Sequence, residues 1–479
     1  MKPFAFSLAS AGVWFALLAQ SSLGEVHIAQ GTMVGEVTPE RAILQTRLTA
    51  VPGPVLDDKH DIPGATGTVA FDYGERADFA DAKRTYWEIV RPERDFIARA
   101  QITGLKPGTR YHFRPVFGVD EASAKPGATG SFKTLPGAES ADPVHFVMGS
   151  CMNYNKFMHG KEGKASGPVT ATEEDKRLGF PAFAAMAGLK PDFFVGTGDI
   201  VYYDNVLNGP ARTLPELRQC WHEQFRFPRL VSFFARTPAF WSKDDHDFRF
   251  NDSDNESAEL PLPATGIELF REQMPILSMG EKQLPTYRTH RVNADLQLWF
   301  SEGRDYRSPN RMQDGPDKTL WGAEQRAWLM RTLKESNAKW KILITPTPMV
   351  GPDDAKKKDN HANLGGFRHE AEAFFDWLKA EGITNFFTFC GDRHWQYHSI
   401  HPSGVEEFAC GALNDENSRM GVAPGSRQGT DPDSLIRQPY TYREPTGGFL
   451  EVRVESAGLT VRFHDDQGAV LHEVTKASR

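Results

Sequence analysis

Two periodicities of hydrophobic residues divide this chain. From about residue 25 to 138, short runs of alternating apolar and polar residues are separated by Gly and Pro, and they predict strands at 42–48, 68–73, 96–102, 111–117 and 130–134. Beyond them, apolar runs typical of buried strands alternate with segments of helical periodicity. The pattern therefore predicts an N-terminal β-sandwich, residues 25–138, followed by a larger α/β domain, residues 139–479.

The boundary between these parts is indicated by residues 135–143, which are rich in small and turn-forming residues and predict a linker. Within the predicted sandwich, residues 105–111 resemble the tyrosine corner of fibronectin type III domains, in which the phenol hydroxyl bonds back to the backbone of the preceding turn. Tyr111 is therefore interpreted as a structural residue.

The larger part shows helix-to-strand units. Apolar residues recur with helical spacing over 367–378 and over 321–333, and each predicted helix leads into an apolar strand, at 385–389 and 340–345 respectively. Alternating runs at 448–454, 459–463 and 470–474 predict strands that complete an outer sheet.

The N-terminus has the pattern of an export signal. Lys2 precedes an apolar stretch over 4–20, and small residues follow, so residues 1–24 are predicted to be a Sec-type signal peptide cut near Gly24. A membrane anchor is the rival interpretation, but the stretch is short for a span. We expect an exported protein, periplasmic or extracellular, with no transmembrane anchor in the mature chain.

Composition narrows the class of protein. A formal net charge of −8 argues against a protein that coats nucleic acid, so no stable nucleic-acid complex is expected. Four cysteines are too few for a disulfide-built scaffold. Cys390 and Cys410 either pair or are buried small apolar residues, and Cys151 is expected to stay free.

Four polar motifs each follow a predicted strand. They are SCMNY at 150–154, GDIVY at 198–202, DDHD at 244–247 and GDRHW at 391–395, after strands at 145–148, 192–196, 238–241 and 385–389. Active sites of α/β sheets form at the ends of strands, where such loops converge. A single Asp after a strand is more often a turn or cap residue. The ordered set of four predicts a site with two adjacent metal ions.

The residue types at these positions suit two different ions. Carboxylate, phenolate, thiolate and imidazole together suit a trivalent iron-like ion, whereas an all-oxygen position suits a harder divalent ion such as calcium or magnesium.

The negative net charge of the chain would repel an anionic substrate, so the binding cleft itself has to supply positive charge. Two cations together with Arg249, Arg304 and Arg393 would reverse the field within one cleft, and Arg304 and Arg393 are predicted to bind the substrate.

The order of the four motifs resembles the PhoD-like (alkaline phosphatase D) branch of the calcineurin-type metallophosphoesterases. Segments at 35–38, 44–48, 304–308 and 324–329 support the resemblance, which covers nearly the whole exported chain. It implies a four-layer α/β/β/α sandwich preceded by a fibronectin type III-like β-sandwich, within an overall α/β class.

The resemblance also implies roles for individual residues. Asp199 would bridge the two ions, and Tyr202, favoured over the neighbouring Tyr203 by the family's spacing, would bind the first. His246 would assist departure of the leaving group. The remaining implied ligands are Cys151 and His394 on the first ion and Asp245, Asp392 and Asn251 on the second.

The expected activity is hydrolysis of small phosphomonoesters or phosphodiesters by direct attack of a metal-bound hydroxide, without a phosphoenzyme. The resemblance and the ligand types favour Fe(3+) with Ca(2+). The alternative is a noncatalytic extracellular binding protein on a degenerate scaffold of the same fold. The lysine run 356–358 is interpreted as a solvated loop, with phosphate binding as the less favoured alternative.

Overall fold

The computed structural model describes residues 25–160, 170–277 and 284–478. The predicted signal peptide at 1–24 lies outside them, so that export stays a prediction. Within the described ranges, none of the helices combines the length and the apolar character that crossing a membrane requires.

The N-terminal segment folds into strands joined by turns, as its alternating pattern predicts. A single 3₁₀ turn, Pro92–Arg94, interrupts the described part of this segment. The strands are β1 (Thr32–Gly35), β2 (Arg41–Arg47), β3 (Gly67–Gly74), β4 (Lys83–Arg84), β5 (Glu88–Val90), β6 (Ile97–Thr103), β7 (Arg110–Gly118), β8 (Lys125–Pro126) and β9 (Gly130–Lys133).

The next segment alternates strands and helices. The helix α4 begins after Thr213, whose backbone N–H donates to the carboxylate of Glu216 in the first turn at 2.8 Å. The elements are β10 (Val144–Gly149), α1 (Tyr154–His159), α2 (Glu173–Leu178), α3 (Pro181–Leu189), β11 (Phe193–Thr197), α4 (Leu214–Phe225), α5 (Pro228–Phe234), β12 (Ala239–Ser242) and α6 (Pro263–Gln273).

The last segment contains the two helix-to-strand units that the sequence predicts. A 3₁₀ turn covers Asp415–Asn417. The other elements are β13 (Arg288–Arg291), β14 (Leu296–Phe300), α7 (Gly322–Glu335), β15 (Trp340–Thr345), α8 (Arg368–Ala380), β16 (Phe386–Cys390), β17 (Gln396–Ile400), β18 (Glu406–Cys410), β19 (Arg437–Thr441), β20 (Gly448–Glu455), β21 (Gly458–Asp465) and β22 (Val470–Ala477).

Two large sheets pack face to face and carry helices on their outer sides. Over the described residues, the first sheet has the order β22-β21-β20-β10-β11-β12-β1-β2-β6 and the second β13-β14-β15-β16-β18-β17-β19. Residues of both sheets, such as Phe146 and Phe389, share one buried core. Separate cores join the first sheet to α3–α6 and the second sheet to α7 and α8. The predicted four-layer α/β/β/α sandwich is confirmed.

The N-terminal strands divide between two sheets. A third sheet contains β3, β4, β5, β7, β8 and β9, whereas β1, β2 and β6 extend the first large sheet because β1 pairs in parallel with β12. The sequence does not predict that N-terminal strands join this sheet. The backbone edge of β12 becomes available to β1 only when distant parts of the chain fold together. In the third sheet, the hydroxyl of Tyr111 accepts the Lys106 N–H at 3.0 Å, which is the tyrosine-corner contact.

The thiols provide a test of the two cysteine alternatives. Cys390 and Cys410 are buried, and no disulfide joins them. Cys151 and Cys220 are also buried free thiols. The interpretation of the first two as buried small apolar residues is therefore the one that holds.

Candidate metal centre

The four motifs meet at the ends of the strands that precede them. The strands β10, β11 and β12 are parallel neighbours in the first sheet, and β16 approaches from the second. Cys151, Asp199 and Asp392 have φ values of 57°, 54° and 60°, in the left-handed region that non-glycine residues rarely adopt. Strain of this kind, on the order of 1 kcal/mol or more per residue, clusters at functional sites.

Two glycines allow the loops to approach one another. A Cβ on Gly198, whose φ is 91°, would lie 2.6 Å from the Cβ of Asp244, and one on Gly391 would lie 2.5 Å from the Ser150 Oγ. A larger residue at either position would separate the loops. In each Gly-Asp pair of the motifs, the glycine therefore allows close approach of a neighbouring loop, and the aspartate supplies a carboxylate to the site.

The predicted ligands of the first ion lie together. Ligand atoms of Cys151, Asp199 and His394 are all within 4.8 Å of one another. The Cys151 Sγ is 3.3 Å from Asp199 Oδ2, and the hydroxyl of Tyr202 donates to the same oxygen at 3.1 Å. Tyr203 instead accepts a hydrogen bond from the indole of Trp221 at 2.8 Å.

Asp199 belongs to two further groups of possible ligands. One contains Asp245 and His246, and the other contains Asp244 and Asp392, each with ligand atoms within 4.8 Å. Asp199 is therefore the residue that joins the first group to the others, as expected of a bridging carboxylate. The sequence interpretation left Asp244 without a role, although it directly precedes Asp245.

A fourth group joins Asp252 and Asp359, which the sequence does not predict as ligands, to Asp245. Asp252 and Asp359 lie in polar loops that do not directly follow a strand. The position after a strand, which predicts the other motifs, therefore does not identify them.

Two further predictions concern residues near this group. The Lys357 Nζ lies 2.7 Å from Asp252 Oδ1, and the interpretation of 356–358 as a solvated loop is wrong for this lysine. Asn251, the predicted amide ligand, is exposed, and its backbone N–H donates to Asp204; its ligand role stays a prediction.

His246 is held by a second carboxylate. Its Nδ1 is 2.7 Å from Asp204 Oδ1, and its ring lies 4.1 Å from the ring of Tyr202, between centroids. Burial lowers the pKa of His246, but the carboxylates of Asp245, Asp199 and Asp204 outweigh burial and raise it to about 10. The ring is thereby oriented with Nε2 as its remaining nitrogen.

The three arginines are fully buried and engaged by protein groups. Arg304 Nε donates to Asp244 Oδ1 at 2.7 Å, and Arg393 pairs with Asp353 and Asp392. Arg249 donates to backbone carbonyls of its own loop, among them that of Pro261 at 2.6 Å. The expectation that Arg249 faces the cleft is wrong, and the predicted substrate contacts of Arg304 and Arg393 stay predictions.

The chemistry of the donor set fits metal ions. Burial raises the pKa values of Asp199, Cys151 and Tyr202, because concentrated negative charge without a counterion is unfavourable in a buried site. Across the described ranges, the buried Asp199 Oδ1 and Asp244 Oδ2 have no hydrogen-bond partner, and burial lowers the pKa of His394 well below its usual value. Unpartnered carboxylate oxygens beside a neutral imidazole are what cations require.

Family models match most of the chain. One described as PhoD-like phosphatase matches residues 146–463, and one described as the N-terminal domain of PhoD-like phosphatase matches residues 14–136. The chain belongs to the PhoD-like phosphatase family. The resemblance drawn from the four motifs is confirmed.

Individual relatives agree with this assignment. Alkaline phosphatase D of Bacillus subtilis is 22% identical over 438 residues, which cover 80% of this PhoD-like chain and 67% of the relative. A solved structure of PhoD aligns with a TM-score of 0.69 at 20% identity, over 95% of this chain and 90% of that one. Purple acid phosphatase PPD1 from yellow lupin aligns with a TM-score of 0.60 at 10% identity, over 93% and 74%. Family and fold support a phosphoesterase.

One further residue of this PhoD-like phosphatase organises the first group. Asn417 is fully buried; its Nδ2 donates to the Tyr202 hydroxyl at 3.0 Å and to the Cys151 carbonyl at 2.9 Å, and its Oδ1 accepts from Lys156 Nζ at 2.8 Å. No sequence pattern marks Asn417 as a positioning residue, because it lies in a 3₁₀ turn far along the chain from both Tyr202 and Cys151.

Proposed function

We propose that the chain is an exported phosphoesterase that hydrolyses phosphomonoesters or phosphodiesters at a dinuclear metal centre. The observation that carries the proposal is the position of Asp199. It is shared by the group with Cys151 and His394, by the group with Asp245 and His246 and by the group with Asp244 and Asp392. A bridging carboxylate between a mixed-donor site and an oxygen-rich site is the arrangement that two unlike ions need.

The donor types support Fe(3+) with Ca(2+). Cys151, Tyr202 and His394 would hold the first ion together with Asp199, and Asp245, Asp392 and Asn251 would supply oxygens to the second. When bound, such a pair of cations holds the phosphate, lowers the pKa of a water molecule and neutralises charge on the attacking and leaving oxygens.

The side chains around the ligands orient them and move protons. His246, fixed through Nδ1 by Asp204, presents Nε2 to donate a proton to the leaving oxygen. Arg304 and Arg393 hold Asp244 and Asp392 in position through buried ion pairs. A direct contact of either arginine with substrate would require it to leave that pair.

The experiment that tests the proposal is Asp199→Asn. We expect loss of turnover of p-nitrophenyl phosphate and of bound metal, whereas Asp58→Asn, on an exposed loop, retains both. Elemental analysis identifies the ions, and ferric iron bound to thiolate or phenolate would colour the protein. A fully active and fully metallated Asp199→Asn variant would contradict the bridging role.

The noncatalytic alternative makes a different prediction. It is disfavoured because Asp199, Asp245, His246, Asp392 and His394 are retained and lie close together. If the noncatalytic alternative were true, purified protein supplied with iron and calcium, or with other divalent ions, would hydrolyse no phosphate ester. Export is tested separately, by sequencing the N-terminus of the mature protein, which we expect to begin near residue 25.

A further inference from the structure

A cavity of about 250 Å³ lies beside the metal centre and is used by none of the roles assigned so far. Tyr202 forms part of its wall, and the hydroxyl of that residue is 3.1 Å from Asp199 Oδ2. The other walls come from α1, from the loop at 205–211, from one side of α4 and from His60 of the N-terminal segment. The cavity and the candidate metal centre therefore share Tyr202, which is the only candidate metal ligand among the residues that line the cavity in the described part of the chain.

The N-terminal wall is fixed to α4. Gln219 Nε2 donates to the carbonyls of Lys59 and His60 at 3.0 and 2.8 Å. One turn away on the same helix, His222 lies between Asp61 and Asp95, at 2.5 and 2.7 Å. The cavity is thus a built site that both parts of the chain form.

Three exposed basic side chains line the cavity, those of Lys59, His60 and His159, whereas the half-buried Asn155 and Glu223 present acceptors. Asn155 donates through Nδ2 to Asn205 at 3.2 Å, but its buried Oδ1 has no hydrogen-bond partner in the part of the chain that the structure describes. Glu223 also lines the cavity, and among the described residues its side chain receives one long hydrogen bond, from Gln219 at 3.4 Å. A buried acceptor without a donor is costly, so the complementary ligand is one that brings donors.

We propose that this cavity binds the organic substituent of the phosphate ester and selects a small substituent bearing amino or hydroxyl donors. The volume lies below the range of about 300–1,000 Å³ typical of pockets for drug-sized ligands, which favours a short amino alcohol or polyol. Glu223 would bind an ammonium group, and Asn155 Oδ1 would accept from either donor. This inference rests on the proposed function, since it concerns specificity at the same centre.

The test compares kcat/KM for three esters: O-phosphoethanolamine, glycerol phosphate and p-nitrophenyl phosphate, which lacks such donors. Glu223→Gln removes charge at constant shape, and Asn155→Leu removes the acceptor. Glu121→Gln, on an exposed loop, is the matched control. Circular dichroism melting and metal content show whether each variant folds and loads like the wild type.

We expect Glu223→Gln to lower kcat/KM for the amino ester about tenfold, the effect of losing a hydrogen bond to a charged group. Asn155→Leu should lower kcat/KM for the amino ester, the hydroxyl ester or both, and neither variant should change that for p-nitrophenyl phosphate more than about twofold. If the wild type hydrolyses p-nitrophenyl phosphate but both folded variants keep the wild-type ratios among the esters, the cavity has no such role. If the wild type hydrolyses no ester, the proposed function itself fails.

Discussion

The side-chain nitrogen of Asn417 lies 3.0 Å from the hydroxyl oxygen of Tyr202, although 215 positions separate the two residues. The same amide donates to the carbonyl of Cys151 and accepts from Lys156. One buried carboxamide therefore sets the position of the phenol and of the loop that carries the thiol. Residues that orient metal ligands in this way contribute to metal affinity without touching the ion.

We predict that Asn417→Ala lowers the affinity for the first ion about 10- to 100-fold, the usual effect of losing a partner that orients a ligand. The measurement is metal titration followed by visible absorption, independent of turnover. Asn337→Ala, at an exposed position after α7, is the control. An Asn417→Ala protein that binds metal like the wild type would remove Asn417 from the positioning of Tyr202.

A second prediction concerns the leaving group. Asp204→Asn should misorient His246, and His246→Asn should remove the proton donor, so both should lower kcat by on the order of 10²-fold for esters with poor leaving groups. Esters of p-nitrophenol need less protonation and should lose less. Equal losses for both kinds of ester would show that His246 does not donate the proton.

A third prediction concerns stability at the junction of the N-terminal segment with α4. His222 is buried between Asp61 and Asp95, and Arg47 also pairs with Asp95. His222→Gln should reduce the free energy of unfolding by roughly 3 kcal/mol, as when one partner of a buried ion pair is removed. The measurement is urea unfolding, with His369→Gln, outside this cluster, as the control.

The stabilisation by His222 should depend on pH with a definite sign. Burial and Arg47 lower the pKa of His222, but the carboxylates of Asp95 and Asp61 outweigh them and raise this pKa above 6.5. Burial raises the pKa of Asp95, but the His222 imidazolium and Arg47 outweigh burial and lower this pKa to about 2. The histidine's contribution is full below pH 6.5 and is lost as pH rises through the raised value, while the carboxylate's is lost as pH falls from 3.8 towards 2. The difference in stability between wild type and His222→Gln should therefore shrink above pH 6.5, and a constant difference up to pH 10 would contradict this.

A fourth prediction tests the tyrosine corner. Tyr111→Phe removes the acceptor of the Lys106 N–H and should cost about 1 kcal/mol, the net value of a typical hydrogen bond. Tyr86→Phe, where the side chain is 98% exposed, should leave the midpoint of unfolding unchanged. The two substitutions are compared by thermal unfolding, and equal midpoints would assign Tyr111 a packing role alone.

Much of the site was predictable because its residues stand directly after strands. A run such as 193–197 predicts its own strand from local composition, and the residue that follows a parallel strand falls at one edge of the sheet. Cys151, Asp199, Asp245 and His394 are predicted as candidate ligands in this way. Asp252, Asp359 and Asn417 are not, because they lie in loops whose paths depend on contacts with distant segments.

The sequence by itself determined the periodicity of the elements, the order of the motifs and the donor types, since each is a property of neighbouring residues. Only the tertiary structure decided that β1 pairs with β12, that Arg304 and Arg393 are paired with buried carboxylates, and that Lys357 lies against Asp252. These pairings depend on which strand edges and charged side chains come into contact when residues far apart in sequence are brought together. Local patterns do not encode such meetings, because burial and pairing energies arise only when the layers pack.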